Sequence, residues 1–74
     1  MYKDLEHIVV LHLSKYEKAY TKPMYKQYEV KKQYGLSLNK FRGVLFQMHL
    51  DGKIKFNCET DSTLPFWSKV GLGE

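Results

Sequence analysis

Arg42 and Phe46 stand four residues apart, so on a helix they are neighbours on one flank. An arginine beside an aromatic ring offers a fork for phosphate and a surface on which a base or sugar can rest. Further along, Lys53-Ile54-Lys55-Phe56 alternates lysine with apolar residues, and Leu64-Pro65-Phe66-Trp67 follows after a polar stretch. Asn39, Lys40, Arg42, Phe46, Lys53, Pro65 and Trp67 are therefore the candidate contacts to a polyanion. Each has a plainer reading. Arg42 can be a solvated charge, and Phe46 can pack beneath a hairpin. Trp67 either packs under Phe46 and holds a strand to the helix, or shows an edge to a bound backbone. Pro65 either blocks an edge strand or touches a sugar.

Other chemistry finds little support. His7 and His12 are five apart, not the four that places two ligands on one helical face, and Cys58 is the only cysteine. No metal site is expected. Ser14, Ser37, His49 and Asp51 form no nucleophile motif, and there is no glycine-rich phosphate loop. The expectation is a chain without catalytic residues, cofactor or small-molecule substrate.

The chain has 74 residues, enough for one small domain (1–74) near the lower limit of independent folding. With 43% hydrophobic and 27% charged residues, it suits a globular domain rather than a disordered tail. Its net charge of +4 favours an acidic partner. The placement of charge says more: lysines 22, 26, 31, 32, 40, 53 and 55 and Arg42 lie from the second helix onward, whereas Asp4 and Glu6 sit at the start. The lone cysteine predicts an intracellular setting, and neither a secretory signal nor a membrane span is read in the sequence.

Three helices must position these residues. Leu5, Ile8, Val9, His12, Leu13 and Tyr16 give the first, over about 4–16, with Asp4 as cap or first-turn anion and Val10 and Leu11 widening its apolar face. Thr21 and Pro23 open the second, over about 22–34, with Met24, Tyr25, Tyr28 and Tyr34 inward. Gly35 ends it, and Ser37 caps the third, over about 38–50, whose stripe is Phe41, Val44, Leu45 and Met48. After Asp51-Gly52 the period changes to two, giving strands at about 53–58 and 64–70, the second placed at an edge by Pro65. Residues 57–63 make the hairpin tip, and 71–74 fray. The clustered tyrosines read as core filling with wet hydroxyls. The fold class is α+β, a small winged helix-turn-helix of three helices and a two- or three-stranded antiparallel wing.

Residues 36–67 resemble the Zα family, winged helix domains that bind left-handed, Z-form DNA or RNA. Members occur in RNA-editing adenosine deaminases, innate immune sensors of nucleic acid and several large DNA viruses. The resemblance rests on the helix end Val44-Leu45-Phe46-x-Met48-x-x-Asp51-Gly52-Lys53-Ile54 and on Pro65-x-Trp67. Aligned on Gly52, the family's asparagine falls on Arg42 and its tyrosine on Phe46. The basic residue after that asparagine becomes Gly43, the paired lysines one turn earlier become Leu38 and Asn39, and Leu64 replaces the first wing proline. The resemblance implies backbone recognition of a DNA or RNA duplex, with the chain a monomer when alone and one or two copies to a duplex. Arg42, Lys40 and Asn39 would engage phosphates, Phe46 a base or sugar, and Pro65 with Trp67 would steady the wing. Two other functions fit the same elements: a winged helix regulator reading the major groove of right-handed DNA, and a protein-interaction winged helix with no nucleic-acid role.

Overall fold

Leu5, Val9 and Leu13 recur every fourth residue, and that stripe is the face that α1 (Lys3–Lys15) buries. The computed structural model describes residues 2–58 and 65–70. It shows a small α+β fold of four helices and a two-stranded antiparallel sheet. Of the hairpin tip expected at 57–63, Asn57 belongs to a strand, and residues 59–63, with Leu64 and the chain end at 71–74, lie outside the described residues. Asp4 is a first-turn anion rather than the cap, which Tyr2 occupies without a side-chain bond. Two residues assigned to the apolar face of α1 leave it: Leu11 is 50% and Tyr16 52% exposed. Leu11 lies about 150° around the helix from the stripe, and Tyr16 is already extended beyond the last turn. No helix among the described residues is long and apolar enough to cross a membrane.

His12 is the polar member of the α1 face. It is buried, bonded through Nδ1 to the Tyr28 hydroxyl at 2.5 Å and packed 4.7 Å from the Tyr16 ring. Burial, and then the Lys15 ammonium, hold its pKa below the usual 6.5. Burial, and then Tyr16, push the Tyr28 phenol above its usual 10.0, so the hydroxyl keeps its proton. Below about pH 6.5 the unfolded chain thus binds more protons at this position than the folded chain, and stability rises with pH. The contribution of neutral His12 is complete above that value and is lost as pH falls through it toward the folded pKa. Melting temperature should therefore drop between about pH 7 and pH 5, and His12→Gln should flatten the drop. An identical pH profile in that variant would remove His12 as the cause.

The single helix expected over 22–34 is two: α2 (Thr21–Gln27) and α3 (Val30–Tyr34). The break is at Glu29, which takes the left-handed conformation at φ 48°. Its cause is the register of the sequence. Continued without interruption, the face bearing Met24, Tyr25 and Tyr28 would next present Lys31 and Lys32 to the core. The break rephases the chain so that Val30 is fully buried and both lysines are exposed. That burial offsets the roughly 1–2 kcal/mol that a left-handed non-glycine residue costs. Thr21, a residue type that suits a cap, is instead the first residue of α2, and its hydroxyl accepts a bond from Trp67.

Gly35 at φ 67° closes α3, and Ser37 caps α4 (Leu38–Leu50) by accepting the Lys40 N–H at 3.2 Å. Phe41, Leu45 and Met48 put α4 at the centre of the core. Gly52, at φ 79°, turns the chain into β1 (Ile54–Asn57), which pairs with β2 (Phe66–Lys69) so that Phe56 opposes Trp67. Ala19 forms a further antiparallel bridge on the other side of Trp67, with N–H···O bonds of 3.0 and 2.7 Å. β2 is thus an edge of the two-stranded sheet, as Pro65 suggested, with its free side covered at Trp67 by the Ala19 bridge. Pro65 precedes the strand, where its missing N–H costs no ladder bond.

Candidate functional site

Phe46 follows Arg42 by one turn of α4, and Phe56 and Trp67 are cross-strand partners on the hairpin face turned toward it. The three rings close into a triangle: Phe46 to Phe56 is 4.9 Å, Phe46 to Trp67 is 5.1 Å and nearly perpendicular, and Phe56 to Trp67 is 4.9 Å. Trp67 is only 1% exposed, so it packs and presents no edge to a ligand, whereas Phe46 keeps 37% of its surface open. The Trp67 indole N–H donates to Thr21 Oγ1 at 2.9 Å. Two backbone bonds to Ala19 and one side-chain bond to Thr21 thus fix this residue against the start of α2. On the other side, the Phe56 N–H donates to His49 Nδ1 at 3.2 Å and ties β1 to the last turn of α4.

Above the triangle lies a cleft of about 600 Å³. Arg42 and Phe46 line it from α4, Phe56, Pro65 and Trp67 from the hairpin, and Tyr20, Thr21, Lys22 and Pro23 from the start of α2. Its lining is aromatic rings, two prolines, Thr21 and two cations, and among the described residues no carboxylate, imidazole or thiol lines it. The Arg42 guanidinium donates to Asn39 Oδ1 at 3.3 Å, a neutral partner that orients it and leaves its charge available.

Of the residues singled out from sequence, the fold brings Arg42, Phe46, Pro65 and Trp67 to this one cleft, with Asn39 joined through Arg42. Lys53 goes elsewhere. Its ammonium lies 2.7 Å from Glu6 Oε1 of α1, the only ion pair among the described residues, and that hydrogen bond and charge raise its pKa. Lys40 is exposed on α4 about 160° around the axis from Arg42, so one groove contact cannot use both in the same way. Tyr20, Thr21, Lys22, Pro23 and Phe56 are the lining residues missing from the sequence-derived set. The alternation of Ile54 and Phe56 could have flagged Phe56, because both fall on the Trp67 face. Nothing local could have flagged Tyr20, which reaches the cleft only through the Ala19 bridge.

In comparisons with protein-family models, with curated proteins and with solved structures, none matches this chain.

Proposed function

We propose that the chain is a winged helix-turn-helix module of the Zα type, binding a DNA or RNA duplex through α4 and the β1–β2 hairpin with preference for the left-handed form. The observation that carries this reading is the placement of Phe46 edge-on against buried Trp67, with Arg42 one turn away and Pro65 on the same cleft. A ring held in this way presents a fixed apolar edge to a base or sugar, while the adjacent guanidinium meets the backbone. The turn Gly35-Leu36-Ser37 between α3 and α4 supports the helix-turn-helix part, and the hairpin with its Ala19 bridge supports the wing.

In this mechanism Arg42 binds phosphate, Asn39 orients it, Phe46 reads shape, and Trp67 with Thr21 positions Phe46. Lys22 joins Arg42 as a cation of the same surface, and Lys53 serves the fold through Glu6. With two or three phosphates neutralised, affinity should fall with salt at a log–log slope of roughly −2 to −3. The deciding experiment is circular dichroism of an alternating CG duplex titrated with the domain. Partial or slow inversion of the spectrum is expected. Saturation without inversion overturns the left-handed preference, and absence of binding overturns the nucleic-acid reading altogether.

A further inference from the structure

A regular duplex does not fill the cleft beside Phe46. Duplexes are convex, their bases are stacked, and they offer a protein phosphates, sugars and base edges. The cleft is concave and apolar, at about 600 Å³ within the range of sites that hold small molecules. Its floor is rigid, because Trp67 is bonded to Thr21 and Ala19 and wedged between Phe46 and Phe56. Its rim carries one cation from each of two elements, Lys22 of α2 and Arg42 of α4. Both are exposed, and neither has a carboxylate partner among the described residues. The complementary ligand is a flat apolar ring attached to an anionic group.

We infer that this cleft takes one unstacked nucleotide, its base lying against Tyr20, Pro23 and Phe46 and its phosphate between Lys22 and Arg42. The inference rests on the duplex-binding reading and deepens it: Tyr20, Lys22 and Pro23 form a subsite for a base that has left the helical stack, such as one in a bulge. Binding an already unpaired base spares the cost of unstacking, so the subsite selects duplexes that contain one. Tyr20 adds a stacking face, and such faces tolerate any base. Lys22 supplies a second charge for the phosphate that leaves the regular backbone path with its base.

The test uses two short duplexes of the same sequence, one fully paired and one carrying a single unpaired 2-aminopurine. The bulged duplex should bind roughly tenfold more tightly, and its fluorescence should be quenched on binding as the base stacks in the cleft. Tyr20→Ala should abolish the preference and the quenching while leaving affinity for the paired duplex in place. Because Tyr20 also packs 6.3 Å from Phe66, Lys22→Glu provides a second variant at an exposed position. Lys22 also belongs to the duplex surface, so the paired duplex should weaken and the bulged duplex weaken more, and thermal melts establish that both variants fold. Arg42→Ala should weaken both duplexes. Equal affinity of the wild-type domain for the two duplexes, or a preference that survives both variants, overturns the subsite and leaves duplex binding standing. If neither duplex binds, both readings fall, and capture of a proline-rich peptide in the cleft would then assign it to a protein partner.

Discussion

Trp67→Ala is expected to cost about 3–5 kcal/mol, enough to unfold most of the population at 25 °C where the total stability lies at the lower end of its range. A domain of 74 residues has a total stability on the order of 4–11 kcal/mol. Removing a fully buried tryptophan costs about 3–5 kcal/mol through lost transfer energy and the cavity left behind. Here the loss extends further, because Trp67 contacts Phe46 and Phe56 and its indole N–H bonds Thr21. The backbone bridge to Ala19, the only described pairing between the sheet and the first half of the chain, uses groups that alanine keeps, so the loss is that of the side chain. Trp67→Phe keeps a ring and loses the N–H bond and part of the volume, so it should cost about 1–2 kcal/mol and lower the melting temperature by about 4–16 °C. Urea denaturation followed by far-ultraviolet dichroism measures both. A Trp67→Ala protein that melts close to the wild type would show that α2 and the hairpin are held together by something else.

The parts of this fold legible in sequence are those fixed by local rules. The stripe of Phe41, Leu45 and Met48, the Ser37 cap and the glycines 35 and 52 define α4 and both of its ends, and the expected bounds agree with the structure. The alternation after Gly52 likewise gives β1. Failures arise where a distant contact decides. Glu29 adopts φ 48° because Val30 is needed in the core, a demand made by the packing around it and invisible in the helix-favouring run from Lys26 to Gln33. Lys53 looked like a free wing cation because its partner, Glu6, lies at the other end of the chain.

The same distinction applies to the cleft. Arg42 and Phe46 were found because they share one helix, and Trp67 because a proline and a tryptophan close the hairpin. The wall formed by Tyr20, Lys22 and Pro23 follows from the pairing of Ala19 with Trp67, which no spacing in the sequence encodes. A polar connection with no apolar period gives no reason to expect a strand bridge. Tyr20 reaches the cleft through that bridge, and Thr21, Lys22 and Pro23 follow it as the first turn of α2.

Phe46 and Arg42 should fail in different ways, and that difference is the largest functional effect expected. In the proposed binding mode Arg42 acts by charge. Arg42→Ala should weaken binding to every duplex by about 1–2 kcal/mol and reduce the magnitude of the salt slope by about one. Phe46 acts by shape. Its exposed edge is held by Trp67 and carries no charge, so Phe46→Ala should abolish inversion of a CG-repeat spectrum while leaving the salt slope unchanged. The ring also packs on Phe56, so the variant will be less stable and must be assayed below its own melting temperature. Phe46→Tyr separates recognition from packing, since it keeps the ring and adds a hydroxyl at the open edge. If recognition is of the Zα kind, that hydroxyl finds a water or phosphate and inversion becomes faster or more complete. If Phe46→Tyr changes nothing and Phe46→Ala lowers affinity and salt slope together with Arg42→Ala, Phe46 merely supports the arginine. The domain would then be a general duplex binder with no reading of handedness.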